Sequence, residues 1–204
     1  MGHKIITVTR QFGSLGRKIA KSVADELGYE YYDRDIIEYS IKEMRGDIEK
    51  LAAFDQTLSS PFERMMYPLG RGNAAMKKAL FEMEKSIMVD LATRNNCVIV
   101  GRCSDFVLRQ YGIPEEDMLN VFIYSPIDKR LLNCKDELDI DNPGKAYTYL
   151  TKVDKAREDF YKHYTKHKFT STRFRHLMID SSIADFDKVA KSISDTARIK
   201  FGIC

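Results

Sequence analysis

Ile5, Ile6, Thr7 and Val8 form a short β-rich run that breaks at Thr9-Arg10-Gln11-Phe12-Gly13, and beyond the break the apolar positions change to helical spacing. Ile19, Ala20, Val23, Ala24 and Leu27 recur at intervals of one, three and four, which lays an apolar stripe along one helix face. Gly28 follows as the kind of residue on which helices end. Tyr29-Glu30-Tyr31-Tyr32 predicts a second short strand that stops at Asp33-Arg34-Asp35, ahead of a helical stretch holding Ile36, Ile37, Ile41 and Met44.

Residues 46–74 are the least regular part, punctuated by Ser59-Ser60-Pro61 and Gly70-Arg71-Gly72-Asn73. Met65, Met66, Tyr67 and Leu69 distinguish this stretch from a simple linker and predict a flap that packs on the body. A long helix is predicted over 75–94, with Leu80, Met83, Ile87 and Leu91 on one face. Cys97-Val98-Ile99-Val100 is a continuous apolar run, as in a strand buried on both faces of a parallel sheet. Val121 to Tyr124 predicts a fourth strand and His176 to Asp180 a fifth. Between these two lies a helix with Val153, Ala156, Phe160 and Tyr164 on its apolar side, and Phe186, Val189, Ile193 and Ala197 mark a closing helix. Strands alternating with helices predict an α/β fold whose five-stranded parallel sheet is covered on both faces, in one domain over residues 1–204.

Composition narrows the class. With 44% hydrophobic and 31% charged residues, 11 Gly and 5 Pro, the 204-residue chain reads as an ordinary globular protein without a disordered region. No apolar run approaches the length of a membrane span, and the N-terminal residues enter IITV without a signal-peptide layout. The opening Met-Gly fails the myristoylation pattern at Ile6. A cytoplasmic location without membrane attachment is therefore expected. Cys97, Cys103, Cys134 and Cys204 lack C-x-x-C spacing and are expected as reduced thiols. His163 and His167 have a metal-like spacing but no third or fourth ligand nearby.

The net charge of +3 gives no case for nucleic acid. Its distribution is more informative. Residues 150–175 carry eight lysines and arginines against three acids, so this stretch is +5 and the remainder −2. A cationic segment on a nearly neutral body points to one anionic ligand, and a solvated helix face is the bland alternative.

Ligands of a parallel α/β sheet bind where strands end and helices begin, because amide N–H groups and the helix dipole point there. Gly13 and Gly16 let the backbone curl around phosphate oxygens, Ser14 adds a hydroxyl, and Arg17 and Lys18 stand in the first helical turn. The full pattern G-x-x-x-x-G-K-[ST] is not met: with Gly16 as its second glycine, Gln11 stands at the first and Arg17 at the lysine. Asp33 and Asp35 after the second strand and Arg102 after the third open on the same sheet edge. Taken singly, Asp33 or Asp35 is most simply a helix cap and Arg102 a surface charge.

ITVTRQFGSLGRKIAKSVADELGYEYYDRDII, CVIVGRCSDFVL, VDKAREDFYKHYT and LMIDSS together resemble the cytidylate kinase-like family, relatives of P-loop nucleoside monophosphate kinases, over nearly the whole chain. The resemblance implies a three-layer P-loop NTPase fold with an acceptor-binding flap over 46–74 and a lid over 130–173. It implies ATP and Mg²⁺ as cofactors, and phosphoryl transfer from a nucleotide donor to a small phosphorylated acceptor, CMP or dCMP above all. A non-catalytic nucleotide or phosphate sensor, or a kinase for another metabolite, is the alternative. The family's S-R-x-F-G-S-G-G-R is followed with Thr9 for Ser and Leu15 for Gly, and Gly16 stands where related kinases carry the phosphate-binding lysine.

By that resemblance Arg10, Gly13, Ser14, Leu15, Gly16, Arg17, Lys18 and Arg130 are expected to bind the nucleotide, with Arg17 or Arg10 standing in for the lysine. Arg102, Asp105 and Asp35 are expected at the acceptor, Asp33 at magnesium or as a base, and Lys155 and Arg157 as lid cations that neutralise the moving phosphoryl group. Arg17, Asp33, Lys155 and Arg157 form the expected catalytic set. Tyr149, Phe160, Tyr161 and Tyr164 read as core rather than as a base-stacking surface. The long helix offers a surface for a homodimer.

Overall fold

The structure, a computed structural model of the chain, describes residues 2–37, 61–138 and 140–203. Ile41, Met44 and the 46–60 part of the expected flap lie outside the described residues. In chain order the elements are β1 (Ile5–Arg10), α1 (Gly16–Leu27), β2 (Glu30–Tyr32), α2 (Pro61–Met66), α3 (Ala74–Arg94), β3 (Cys97–Val100), α4 (Ser104–Gln110), β4 (Met118–Tyr124), α5 (Ile127–Leu138), α6 (Pro143–Thr165), β5 (Leu177–Asp180) and α7 (Phe186–Phe201). A helical turn at residues 34–37 follows β2.

All strands are parallel, in the order β2-β3-β1-β4-β5. β1 is central, paired Ile5↔Cys97 to Val8↔Val100 on one side and Ile5↔Met118 to Arg10↔Ile123 on the other. Side chains of a strand alternate between faces, and here the alternation builds two cores. Ile5, Cys97, Ile99, Met118 and Phe122 pack with Phe81 and Met88 of α3 and Leu108 of α4. Ile6, Val8, Val98, Val100, Val121 and Ile123 pack with Ile19 and Val23 of α1 and Ile193 and Ala197 of α7. A third, smaller cluster sets Phe12 of the first loop against Cys134 of α5 and Ala146, Leu150 and Val153 of α6. Phe12, two residues after β1, thus anchors the loop to α5 and α6.

The helix ends follow local chemistry. Gly28 ends α1 in the left-handed conformation, φ 66°, with Tyr29 N–H donating to the Ala24 carbonyl. Asn73 caps α3 by accepting from Met76 N–H at 2.9 Å, and Asn142 caps α6 ahead of Pro143. Strand β4 starts three residues before the Val121 expected from the pattern, because the buried Asn120 interrupts the apolar run while its side-chain oxygen accepts from the Thr7 hydroxyl at 2.7 Å. The inner face of α3 also differs from the expected stripe: Phe81, Glu84 and Met88 are buried, and Met83 and Leu91 only flank them. Among the described residues no helix is long and apolar enough to cross a membrane.

Candidate functional site

At the carboxyl ends of β1 and β3 the structure encloses a cavity of about 780 Å³, bounded by the β1–α1 loop, the turn after β3, α2 and α6. The loop is built for close backbone approach. Gly13 has φ 72°, and a Cβ there would lie 2.7 Å from the Arg130 carbonyl oxygen, so no side chain fits. Leu15, next before the helix, takes φ 56° and ψ 16° and offers no side-chain cap to α1. The amides of Gly13 to Lys18 meet no protein acceptor among the described residues; the first to be taken is Ile19 N–H, by the Leu15 carbonyl at 2.9 Å. Uncapped amides at the positive end of a helix are an anion seat.

The loop is held from behind. Ser14, fully buried, donates its hydroxyl to the Gln11 carbonyl at 2.9 Å, so it braces the turn and does not line the cavity. Phe12 N–H donates to Asp154 of α6 at 2.8 Å, Arg130 Nε donates to the Phe12 carbonyl at 2.7 Å, and Asn133 donates to the Gly13 carbonyl at 2.7 Å. Arg130 is itself buried and paired with Asp154. It therefore braces the loop from below and lies outside the cavity lining.

Six arginines line the cavity: Arg10, Arg17, Arg34, Arg64, Arg102 and Arg157. Arg157 donates to the Arg10 carbonyl at 3.3 Å and stands 5.4 Å from the centre of the Phe12 ring. Burial pulls its pKa down to about 10 against the support of Asp154, and the like charges of Arg17 and Arg130 add to the fall. Arg10 is displaced in the same direction, well below its ordinary value, by burial first and then by Arg157 and Arg17. Arg17 is the opposite case. Burial works against its charge, but hydrogen bonds to Asp33 and to Asp35, the latter at 2.7 Å, raise it above the ordinary value.

Asp33 is almost buried, and its Oδ1 accepts from Asp35 N–H at 3.0 Å and Ile36 N–H at 3.2 Å. It caps the turn at 34–37 and its other oxygen faces Arg17. Asp35 lies on the cavity wall between Arg17 and Arg64. Burial raises its carboxyl, but the guanidinium of Arg17 prevails and holds it below the usual range.

Arg102 reaches the wall at a turn in which Gly101, Arg102 and Cys103 all have positive φ, 81°, 58° and 55°. Left-handed backbone at non-glycine residues is retained where the surroundings over-determine it, as at binding sites. Glu84 of α3 lies 3.0 Å from Arg102, and Arg102 also donates to the Pro68 carbonyl at 2.9 Å. Asp105 is turned away from the cavity: wholly buried in α4, it accepts from Arg175 at 2.5 Å and from the Tyr161 hydroxyl at 2.8 Å. Lys18 lies over the Phe186 ring, 3.8 Å from its centre. Lys155 is exposed, pairs with Asp159 at 2.8 Å, and borders a different cavity of about 1140 Å³ between α3 and α6. Residues two apart on a helix face opposite ways, so Lys155 and Arg157 do not share a site here.

Of the sequence-predicted residues, the structure brings Arg10, Gly13, Leu15, Gly16, Arg17, Asp35, Arg102 and Arg157 to one cavity, with Asp33 behind Arg17. Ser14, Lys18, Asp105, Arg130 and Lys155 lie elsewhere. Arg34, Arg64 and Cys103 are wall residues that sequence reasoning did not assign. Arg34, between two assigned aspartates, was within reach of it; Arg64 sits in the irregular stretch, where no periodicity marks a face. Among the described residues no group of three or more metal-ligating side chains occurs. Cys97, Cys103 and Cys134 are buried and form no disulfide among the described residues, and burial pushes the Cys103 thiol well up. Tyr161 is buried, and Phe160 and Tyr164 pack on the core around Phe81.

Among solved structures the chain is similar to an uncharacterized protein from Eubacterium ventriosum, with 18% identity over 96% of this chain and 98% of that one and a TM-score of 0.72. It also resembles a shikimate kinase from Acinetobacter baumannii in complex with shikimate, with 16% identity, coverage of 95% and 92% and a TM-score of 0.51. A gluconokinase from Sinorhizobium meliloti gives 12%, 98% and 91%, and 0.51. These likenesses show a shared P-loop kinase fold. No curated protein matches. The model of the cytidylate kinase-like family matches residues 5–183, and with the five-stranded parallel sheet and the glycine-bearing loop at its central strand, the chain belongs to that family.

Proposed function

We propose that the protein is an ATP-dependent kinase that phosphorylates a nucleoside monophosphate, CMP or dCMP in the first instance. One observation carries the reading: six arginines line a single cavity at the end of the central strand, together with loop residues Gly13, Leu15, Gly16 and Arg17, whose amides meet no acceptor among the described residues. Phosphoryl transfer asks a protein for positioning and neutralisation of charge more than for covalent chemistry. In this reading an oxygen of the acceptor phosphate attacks the γ-phosphorus, the bond to the β–γ bridging oxygen breaks, and ADP leaves beside a nucleoside diphosphate.

The loop amides of Gly13 to Lys18 and Arg17 hold the donor phosphates, Arg102 grips the acceptor phosphate as a planar fork, and Arg157 moves with α6 to cover the transferring group. Magnesium fits in a limited sense. It is commonly held by one or two carboxylates together with substrate phosphates, and Asp33 and Asp35 supply two, each now bridged by Arg17. Asp33 and Asp35 would hold the ion beside the nucleotide, where it would supply neutralisation of phosphate charge.

A coupled assay with ATP, Mg²⁺ and a panel of acceptors tests the proposal. Nucleoside monophosphates fill most of the panel. Shikimate and gluconate belong in it because the fold is shared with kinases so named and because Arg34, Arg64 and Asp35 offer both cationic and accepting groups. Turnover is expected with CMP or dCMP, falling by about 10³ or more in Arg157→Gln. Absence of turnover with every acceptor overturns the proposal, and ATP binding without transfer would identify a sensor instead.

A further inference from the structure

The loop lacks its lysine, and the structure shows what stands in its place. In G-x-x-x-x-G-K the cation lies six residues after the first glycine. With Gly16 at the lysine position, the first-glycine position falls on Arg10, so glycine and cation have changed places. The geometry explains why both changes go together. A Cβ at position 16 would lie 2.6 Å from Cβ and 2.7 Å from Cγ of Arg10, closer than real side chains approach. The stem of Arg10 thus fills the space from which a lysine at 16 would depart. Its far end lies against Gly101, where an added Cβ would collide with Nη1 of Arg10.

The two nearby candidates for the missing charge are differently committed. Arg17 is bound to Asp33 and Asp35. The Arg10 guanidinium makes no hydrogen bond or ion pair among the described residues, its Nε is buried without a partner, and it lines the cavity. We infer that Arg10 is the principal phosphate-binding cation of this loop, delivered from the end of β1 instead of the first turn of α1, with Gly16 and Gly101 clearing its path. Its planar fork suits two phosphate oxygens at once. Burial and the like charges of Arg157 and Arg17, which depress its pKa, mark a position that an arriving polyanion relieves. The identity of that anion as a nucleoside polyphosphate rests on the kinase reading; the anion site itself does not.

Calorimetric titration with tripolyphosphate, and with ATP with and without Mg²⁺, tests the exchange on the full chain, with circular dichroism confirming the fold of each variant. Arg10→Gly is expected to weaken tripolyphosphate binding about 10- to 100-fold, and Arg10→Lys to lose less. Gly16→Lys alone is also expected to weaken it, because the new stem meets Arg10. The double variant Arg10→Gly/Gly16→Lys restores the conventional arrangement and is expected to regain most of the lost affinity. Arg10→Gly binding like the natural protein while Arg17→Ala loses affinity would overturn the inference, as would a double variant no better than its singles. A natural protein that binds tripolyphosphate but phosphorylates no acceptor would remove the kinase reading and leave the role of Arg10 standing; one that binds neither probe would remove both.

Discussion

Arg175 and Arg157 have both been drawn away from water, and the chain treats them in opposite ways. Arg175 meets Asp105 at 2.5 Å with both side chains almost wholly buried, and Tyr161 donates to the same carboxylate. Arg102, on the cavity wall, has Glu84 behind it. Arg157 finds a carbonyl, an aromatic ring and two more guanidinium groups; Asp154 supports its charge, but among the described residues no carboxylate lies within ion-pair distance. Arg175 and Arg102 each face a carboxylate; around the loop Arg17 and Arg130 do too, but Arg10 and Arg157 make no ion pair among the described residues. Such an imbalance destabilises the ligand-free fold, and its location at a cavity marks the place where an anion supplies the balance.

The largest test of the balanced side is Glu84→Ala, which removes the buried carboxylate 3.0 Å from Arg102. A loss of about 3–5 kcal/mol is expected, read as a lower urea midpoint; an unchanged midpoint would mean that Arg102 turns out into the cavity unaided. Gly13→Ala comes next. The left-handed backbone alone costs about 1–2 kcal/mol for a residue with a side chain, and contact with the Arg130 carbonyl adds to it. Thermal unfolding should register the loss, along with a weaker stabilisation by tripolyphosphate.

Arg157→Gln is expected to act in the opposite direction, raising the stability of the ligand-free protein by about 0.5–2 kcal/mol while reducing stabilisation by tripolyphosphate. A variant that is less stable without ligand would break the contrast between the two regions. The same group sets a pH dependence. Its pKa near 10 lies below that of an ordinary arginine, so the folded protein releases this proton before the unfolded chain does. The destabilisation is present at neutral pH and lifts as pH rises through about 10. Anion affinity follows the charge: full at pH 8, it falls by pH 10, as titration calorimetry at the two values would show. The smallest effect belongs to Leu15→Gly. Relief of its left-handed backbone is worth about 1 kcal/mol, but Leu15 packs against the α1–α7 core, so the net change in unfolding free energy should be close to zero.

The strands, the glycine-bearing loop and the stripe of α1 were legible because each depends on neighbours a few residues away: β-branched alternation for β1, one-three-four spacing for α1, Gly28 for its end. Arg10 and Arg102 were legible as site candidates because they stand at or just past strand ends, and Arg17 because it stands in the first turn of α1. Glu84 was not. It interrupts an apolar helix face, and only the third strand's arrival beside α3 shows why a carboxylate belongs there. Asp105 and Lys155 likewise sit within two or three residues of true cavity residues, and the direction of a helical side chain, not its position in the sequence, sends them elsewhere.

The order of strands and helices, the loop after the first strand and the supply of arginine on one sheet edge were determined by the sequence alone, since they follow from periodicity and local turn chemistry. Which arginines are neutralised was decided by the tertiary structure. Arg175 and Asp105 are 70 residues apart and Arg130 and Asp154 are 24 apart, and charges so separated along the chain become partners only when packing brings them within a few ångströms in a medium that screens them poorly.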